Sequence, residues 1–413
     1  MDPVVLHSDL NNFYASVECL HRPDLRHLPV AVGGDPLLRH GIVLAKNNLA
    51  KKAGIRTGEA LWQARQKCPG LVVLPPNYPL YLRVARKARA IYADYTDRIE
   101  PFGLDEAWLD VSGPGLTPEG AAPLADHIRD RIREELGVTA SVGVSYNKIF
   151  AKLGSDMKKP DATTTILREN YRDTVWQLPV ESLLYVGPAT TRKLRRIGIL
   201  TIGELAALDT DYLHRMLGKW GEVLHQFANG EERSPVARAG EEDPIKSVGN
   251  STTTPRDLIN EDDVRMVVYV LAESVAARLR EQGFLSRTVQ LHVRDNTLES
   301  FERQCRLPRP TRLASELADA AMELFRTNYV WTRPIRSIGV RASDLRAETL
   351  GIQLSMLDDE RRRLRLERLE YTVDDIRRRF GHDSVQRAML LADRPLGGIN
   401  PKEDHVIHPV GYF

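Results

Sequence analysis

Cysteine is nearly absent from this chain of 413 residues. Its three cysteines, Cys19, Cys68 and Cys305, are far apart and form no Cys-x-x-Cys pair. That excludes a disulfide scaffold and a structural zinc site, and it points to a reducing compartment, the cytoplasm. No apolar run is long enough to cross a bilayer, and the start has no signal-peptide pattern, so no membrane partner is expected. No Gly-x-x-x-x-Gly-Lys-Ser/Thr loop occurs. Any triphosphate must therefore be held by metal and cationic side chains. Charge of one sign is lacking too. The net charge is only +2, so the total does not announce nucleic-acid binding. No low-complexity tract is present. What remains is 42% hydrophobic and 28% charged, ordinary for globular protein, in a chain too long for one core.

Against that background one acidic set stands out. Asp9 ends the apolar run Val4-Val5-Leu6-His7-Ser8. Asp105-Glu106 precedes Ala107-Trp108-Leu109-Asp110-Val111 almost a hundred residues later. Each acid lies where a strand meets a turn. Taken singly, Asp9 reads as a helix N-cap and Asp105-Glu106 as a solvated turn. If the strands pair, three carboxylates converge. Carboxylates ~4 Å apart repel by about 4 kcal/mol per pair at an effective dielectric near 20. Divalent cations relieve that repulsion, and carboxylate-held metal pairs suit attack on phosphate esters.

The periodicity places strands at 3–9, 29–33, 41–46, 71–74 and 139–145, with a strand pair over 99–111. Helices fit 11–19, 47–53, 59–67, 78–97 and 118–136. With 11–76 set aside as an insertion, the order is β-α-β-β-α-β-like, an antiparallel sheet backed by helices. It puts Asp9 and Asp105 on adjacent central strands. Residues 167–233 read as all-helical. Within them Val186-Gly187-Pro188 precedes Leu194-Arg195-Arg196-Ile197-Gly198, a pattern resembling a helix-hairpin-helix that offers backbone N–H groups to phosphate. Residues 231–245 are polar and aperiodic, a linker.

A second β-α-β-β-α-β order follows, with strands at 246–253, 287–294, 300–307 and 335–342 and helices at 261–282 and 311–327. Val289, Leu291 and Val293 alternate with Thr288, Gln290, His292 and Arg294, giving one core face and one basic open face. Arg336 and Arg341 add charge to that face. Residues 345–380 read as a linker and a charged helix, and the aperiodic end, with His405 and His408, as a tail without ligands.

The motifs resemble those of the Y-family, translesion DNA polymerases, in the bacterial DNA polymerase IV (DinB-like) group. The carrying pieces are Ser8-Asp9-Leu10-Asn11-Asn12-Phe13-Tyr14-Ala15-Ser16-Val17-Glu18, Leu104 to Asp110, Ser145-Tyr146-Asn147-Lys148 and Ala151 to Pro160. The resemblance covers residues 1–345 and implies an α+β multidomain fold. It assigns a palm to 1–10 and 77–166, small fingers to 11–76, a helical thumb to 167–233 and a linker to 234–245. A little finger takes 246–345, and 346–413 is a C-terminal tail.

The resemblance also implies roles. Asp9, Asp105, Glu106 and the Leu10 carbonyl hold two magnesium ions, for which manganese can substitute. Asn12, Phe13, Tyr14, Leu44, Ala45, Asn48, Lys51 and Lys159 face the incoming dNTP, with Tyr14 the steric gate against a ribose 2′-hydroxyl. Gly187, Lys193, Arg294, Arg336 and Arg341 grip primer-template DNA. Gln353, Leu354, Met356 and Leu357 dock a monomeric polymerase on the sliding clamp. In the finger helix many members carry Tyr and Arg where this chain has Asn48 and Lys51, so the planar guanidinium fork is replaced by a point charge. Two competing readings are a non-catalytic polymerase-like scaffold and a palm-domain nucleotide cyclase.

Overall fold

A computed structural model of the chain describes residues 2–35, 39, 41–241, 244–350 and 360–402. The proposed clamp motif at 353–357, His405 and His408 lie outside the described residues. No helix among the described residues is long and apolar enough to cross a membrane. The chain forms two compact units that part after residue 241, with a short segment around residue 39 belonging to the second.

The first unit is built on a five-stranded sheet. Its strands in chain order are β1 (Val5–Leu10), β5 (Ile99–Pro101), β6 (Glu106–Asp110), β7 (Ala140–Ser145) and β8 (Thr163–Ile166), in spatial order β5-β6-β1-β7-β8. An inserted three-stranded sheet, order β3-β2-β4, comes from β2 (Val30–Gly33), β3 (Val43–Lys46) and β4 (Val72–Leu74). The helices around them are α1 (Phe13–His21), α2 (Asn48–Lys52), α3 (Leu61–Lys67), α4 (Tyr78–Ala93), α5 (Ala122–Arg131) and α6 (Lys148–Met157). Beyond β8 come α7 (Tyr171–Thr174), α8 (Pro188–Arg196), α9 (Ile202–Ala206), α10 (Thr210–Leu217) and α11 (Lys219–Ala228).

β1 and β7 are buried along their whole length because helices cover both faces. Leu6 and Leu10 turn toward Leu80, Ala85, Ile91 and Ile128 of α4 and α5. Val5 turns the other way, onto Trp108 and Ala151 of α6. Helix α6 and strand β8 lie outside the order expected from periodicity, and β8 makes the sheet mixed, since it runs parallel to β7. The approach of α6 is permitted by Gly143. A Cβ there would stand 1.8 Å from the Ala151 carbonyl oxygen and 2.6 Å from the Ser155 nitrogen. The expected linker is irregular but not free. Val236 packs with Val5 and Trp108, and the Ala237 N–H donates to Glu100 at 3.0 Å.

The second unit has β9 (Ser247–Leu258), α12 (Glu261–Glu281), β10 (Phe284–Asp295), β11 (Ser300–Thr311), α13 (Ala314–Asn328) and β12 (Ile335–Ala347). Its sheet is antiparallel, in order β11-β10-β12-β9. Val289, Leu291 and Val293 face the core with α12 and α13, as the alternation requires. Arg336 departs from expectation. The register slips between Arg294↔Ser337 and Asp295↔Ile335, so Arg336 is the bulged residue, unpaired with β10 and outside the strict alternation.

The C-terminal segment is a tail only in part. Helix α14 (Glu360–Phe380) docks through ions rather than apolar contacts and buries no residue of its own. Arg280, with a side chain only 4% exposed, meets Glu370 and, at 2.6 Å, Asp374. Arg363 reaches Glu316 at 3.1 Å and Arg377 reaches Glu273 at 2.9 Å. After it, Leu390 and Leu396 of the segment ending in α15 (Arg394–Gly397) join the core.

Candidate active site

β1 and β6 pair antiparallel with Asp9 directly opposite Glu106 and His7 opposite Trp108. Directly opposed residues share a face, so Asp9, Glu106 and His7 all point toward α6. Asp105 is not on a strand. It immediately precedes β6, its carbonyl accepting from the Leu10 N–H at 3.0 Å. Asp9 and Asp105 were expected on adjacent strands; the pair that sits there is Asp9 and Glu106, because β6 begins one residue after Asp105.

Helix α6 supplies residues that the sequence reading left unassigned. Lys152 Nζ lies 2.8 Å from Glu106 Oε2 and 3.6 Å from Asp9 Oδ2. Lys159, just past the helix, reaches Asp9 at 2.5 Å, and both lysines also touch Asp156, at 3.3 and 2.8 Å. His7 is fully buried between Glu106 (Nε2 to Oε2, 3.3 Å) and Ser155 (Nδ1 to Oγ, 2.9 Å), edge-on to Trp108. Asn11 braces the turn that carries Lys159. Its Oδ1 accepts from the Asp161 N–H at 2.8 Å and from Thr139 at 3.0 Å, and its Nδ2 donates to Ser141 at 2.9 Å. A signal for α6 was present: Asn147, whose side chain accepts from the Phe150 N–H at 2.7 Å, stands ahead of Ile149, Phe150 and Leu153.

Electrostatics follow from this packing. Burial, then the charges of Asp9 and Glu106, push Asp105 up to about 7. Burial and Glu106 push Asp9 up to about 6, against the pull of Lys159 and Lys152. Burial alone would raise Glu106, but the His7 hydrogen bond and the Lys152 charge outweigh it and bring it down to about 2. Burial depresses His7 below the ordinary imidazole value. The Ser155 hydroxyl donates its one proton to the Lys152 carbonyl at 2.7 Å, so its oxygen is what faces His7 Nδ1.

Among the described residues no three His, Cys, Asp or Glu side chains form a ready-made metal cage. The donor chemistry nevertheless fits a hard divalent cation. Three carboxylates (Asp9, Glu106, Asp156) pair with two ammonium groups, and a fourth, Asp105, has no ion pair among the described residues. Glu106 and Asp9 are turned to the lysines.

The expected nucleotide-facing residues divide. Tyr14 is half-buried, stacked on Tyr81 with ring centroids 4.3 Å apart and edge-on to Tyr78. Burial and then the Asp105 charge raise its hydroxyl pKa. Phe13 is instead a core residue, 2% exposed against Tyr81, so its side chain is not available to a nucleotide. Asn12 has left-handed backbone (φ 50°) and donates to Asn48 Oδ1 at 3.0 Å, which ties α2 to the start of α1. Leu44 and Ala45 lie half-buried on β3, and Asn48 and Lys51 are exposed on α2. Burial and then the charge of Lys51 lower the pKa of Lys46, also on β3. Gly187 caps α8 with open space around it, and Lys193 is exposed on that helix. Arg294 and Arg341 are exposed on the open sheet face of the second unit.

Comparison with known proteins agrees with this geometry. The impB/mucB/samB family profile matches residues 8–156, and that family's C-terminal domain matches 245–356. DNA polymerase IV of Acetivibrio thermocellus is 53% identical over 97% of this chain and its own full length. DNA polymerase IV 2 of Bacillus subtilis is 36% identical over 94% of this chain and 95% of its own. A chimeric Y-family DNA polymerase of known structure superposes with TM-score 0.72 at 22% identity, over 84% of this chain and all of its own. Proteins of this kind work with divalent metal ions. The chain belongs to the impB/mucB/samB family, as a Y-family DNA polymerase of the DNA polymerase IV type.

Proposed function

We propose that the chain extends a primer 3′-hydroxyl with dNTPs opposite damaged template, by two-metal nucleotidyl transfer. Asp9, Asp105, Glu106 and the Leu10 carbonyl hold magnesium, with manganese as a substitute. When bound, the cations activate the primer hydroxyl and neutralise the triphosphate. The chain's own residues do the rest. His7 and Ser155 hold Glu106 ionised and aimed. Lys159 and Lys51 receive the triphosphate. Tyr14, fixed by its stack on Tyr81, walls off a ribose 2′-hydroxyl, and Leu44 and Ala45 floor the base pair. Residues 1–10 and 77–166 act as palm, 11–76 as fingers, 167–233 as thumb and 246–345 as little finger. Gly187, Lys193, Arg294 and Arg341 grip the DNA backbone, which makes binding sequence-independent and salt-sensitive. Gln353, Leu354, Met356 and Leu357 dock the monomeric enzyme on a sliding clamp in the cytoplasm.

The carrying observation is Asp9 facing Glu106 across β1 and β6, with Asp105 beside them and lysines poised on both. A scaffold or a cyclase has no use for that set together with a helical phosphate-gripping segment and a basic sheet. Primer extension with one dNTP at a time tests the reading. Templated addition is expected, and its absence in magnesium and manganese overturns it.

A further inference from the structure

Lys152 pairs with carboxylates that would hold a divalent cation, and this inference rests on the reading of Asp9, Asp105 and Glu106 as cation ligands. Its ammonium sits 2.8 Å from Glu106, and the side chain is only 12% exposed. A cation arriving at Glu106 must displace it. Gly143 and Gly154 bring α6 directly against β7, and drawing the helix away would open a void in that close packing. Turning the Lys152 side chain is the less costly movement. A buried ammonium left without a partner is strongly disfavoured, so the displaced group needs another acid nearby. Asp156 meets that need. It lies one turn further along α6, already touches Lys152 at 3.3 Å and Lys159 at 2.8 Å, and is 47% exposed at the edge of the cluster. His7 approaches Glu106 Oε2 at 3.3 Å and keeps that carboxylate in place while Lys152 leaves.

We propose that Lys152 is the internal counter-ion of the metal-free site, and that Asp156 is the positioning residue that takes up its ammonium when a divalent cation binds. Metal affinity is then a difference between two ion pairs made by one lysine. Removing Lys152 removes the competitor. Removing Asp156 strands the displaced ammonium. Both signs also follow from simple charge, so the diagnostic quantity is their coupling. Two mutations couple in metal affinity only if the Lys152–Asp156 contact changes strength when metal binds.

The test is calorimetric titration of the full chain with Mn²⁺ alone, without DNA or nucleotide. Lys152→Met is expected to tighten binding roughly tenfold, the scale of one charged hydrogen bond. Asp156→Asn is expected to weaken it by about threefold or more, and by clearly less than that in the Lys152→Met background. Lys148→Met deletes the same charge one turn earlier, where the lysine pairs with Glu100 at 3.0 Å, and is expected to leave affinity within about twofold. Should Lys152→Met fail to fold, Lys152→Gln carries the same expectation. Equal effects of Asp156→Asn in both backgrounds, or no tightening without Lys152, overturn the exchange while leaving the ligand assignment intact. If the wild-type chain gives no Mn²⁺ signal that Asp105→Asn removes, the ligand assignment falls, and the exchange falls with it.

Discussion

Asp9 and Glu106 share a face and a register, yet their environments drive them apart. Glu106 is held ionised at about 2 by His7 and Lys152, while Asp9 and Asp105 are pushed up to about 6 and about 7. The least compensated group is therefore Asp105, and the most firmly charged is Glu106. Replacing either by its amide keeps shape and deletes charge. Asp105→Asn and Glu106→Gln should each lower single-nucleotide extension in magnesium by at least about a hundredfold, since metal-held charge stabilisation is worth several kcal/mol. Primer-template affinity, measured by fluorescence anisotropy, should stay within about twofold, because these groups hold no phosphate of the duplex. Near-normal extension by both variants would remove them from the catalytic set. Tyr14 makes a second prediction. Its stack on Tyr81 needs the ring and not the hydroxyl. Tyr14→Ala should raise ribonucleotide use relative to dNTP use by more than about tenfold, or roughly 1.4 kcal/mol, while Tyr14→Phe keeps the discrimination. If both variants discriminate like wild type, the ring is core packing alone.

Among the elements, α6 is where packing becomes chemistry. Gly143 lets it lie against β7, and from there Lys152 reaches Glu106, Ser155 reaches His7 and Asp156 reaches the two lysines. Gly143→Ala puts a methyl into the Ala151 carbonyl, so the helix must shift. Overpacking of this kind costs about 1–3 kcal/mol, and a lower melting temperature should come with a loss of extension larger than the stability loss accounts for. A variant that melts low but extends normally would separate the helix from the site. The acids themselves were legible in the sequence, because each ends or begins an apolar run at a turn. Lys152 and His7 were not, because their role depends on which helix covers which face, and periodicity does not report that. Helix α14 was legible as a helix but not as a docked one. It offers no apolar stripe, and its partners Arg280, Arg312 and Glu316 lie far away in sequence. Helix α12 begins on a more local device. Asp263 accepts two hydrogen bonds from Arg256, at 2.8 and 2.7 Å, and one from the Ile259 N–H. Arg256 lowers its pKa below 3.8. That stabilisation is fully present above the ordinary carboxyl value and is lost as pH falls through the lowered one. Asp263→Asn should cost about 1–2 kcal/mol at pH 7, at the low end for charged hydrogen bonds because Arg256 is partly solvated. The gap from wild type should close in acid, and a gap that persists at the lowest pH would assign the loss to packing.

For the whole molecule the question is how a chain of net charge +2 holds a polyanion. The answer proposed here is distribution. On the open face of the second unit, strand register sets Arg294, Arg341 and Arg306 beside rows of small polar residues. Arg341 pairs with Gly249, and its neighbours on the same face are Ser251, Gly339, Ser337 and Thr253. Small side chains let a phosphate backbone come close, and their hydroxyls and N–H groups can donate to it without reading sequence. Each phosphate neutralised by such a cation releases counter-ions, and the logarithm of affinity falls by about 0.9 per contact for each tenfold rise in salt. Arg294→Ala combined with Arg341→Ala should therefore shrink the salt slope for primer-template binding by about two units. Arg336 provides an internal comparison. It was expected on the same face, but the bulge takes it out of the alternation and leaves it partly buried. Arg336→Ala should change the slope by less than about half a unit. Anisotropy titrations over a salt series, run on the three proteins in parallel, distinguish the cases. An unchanged slope in the double variant would make the basic face plain solvated surface, and a full unit lost with Arg336 alone would place the DNA along the bulged end of β12.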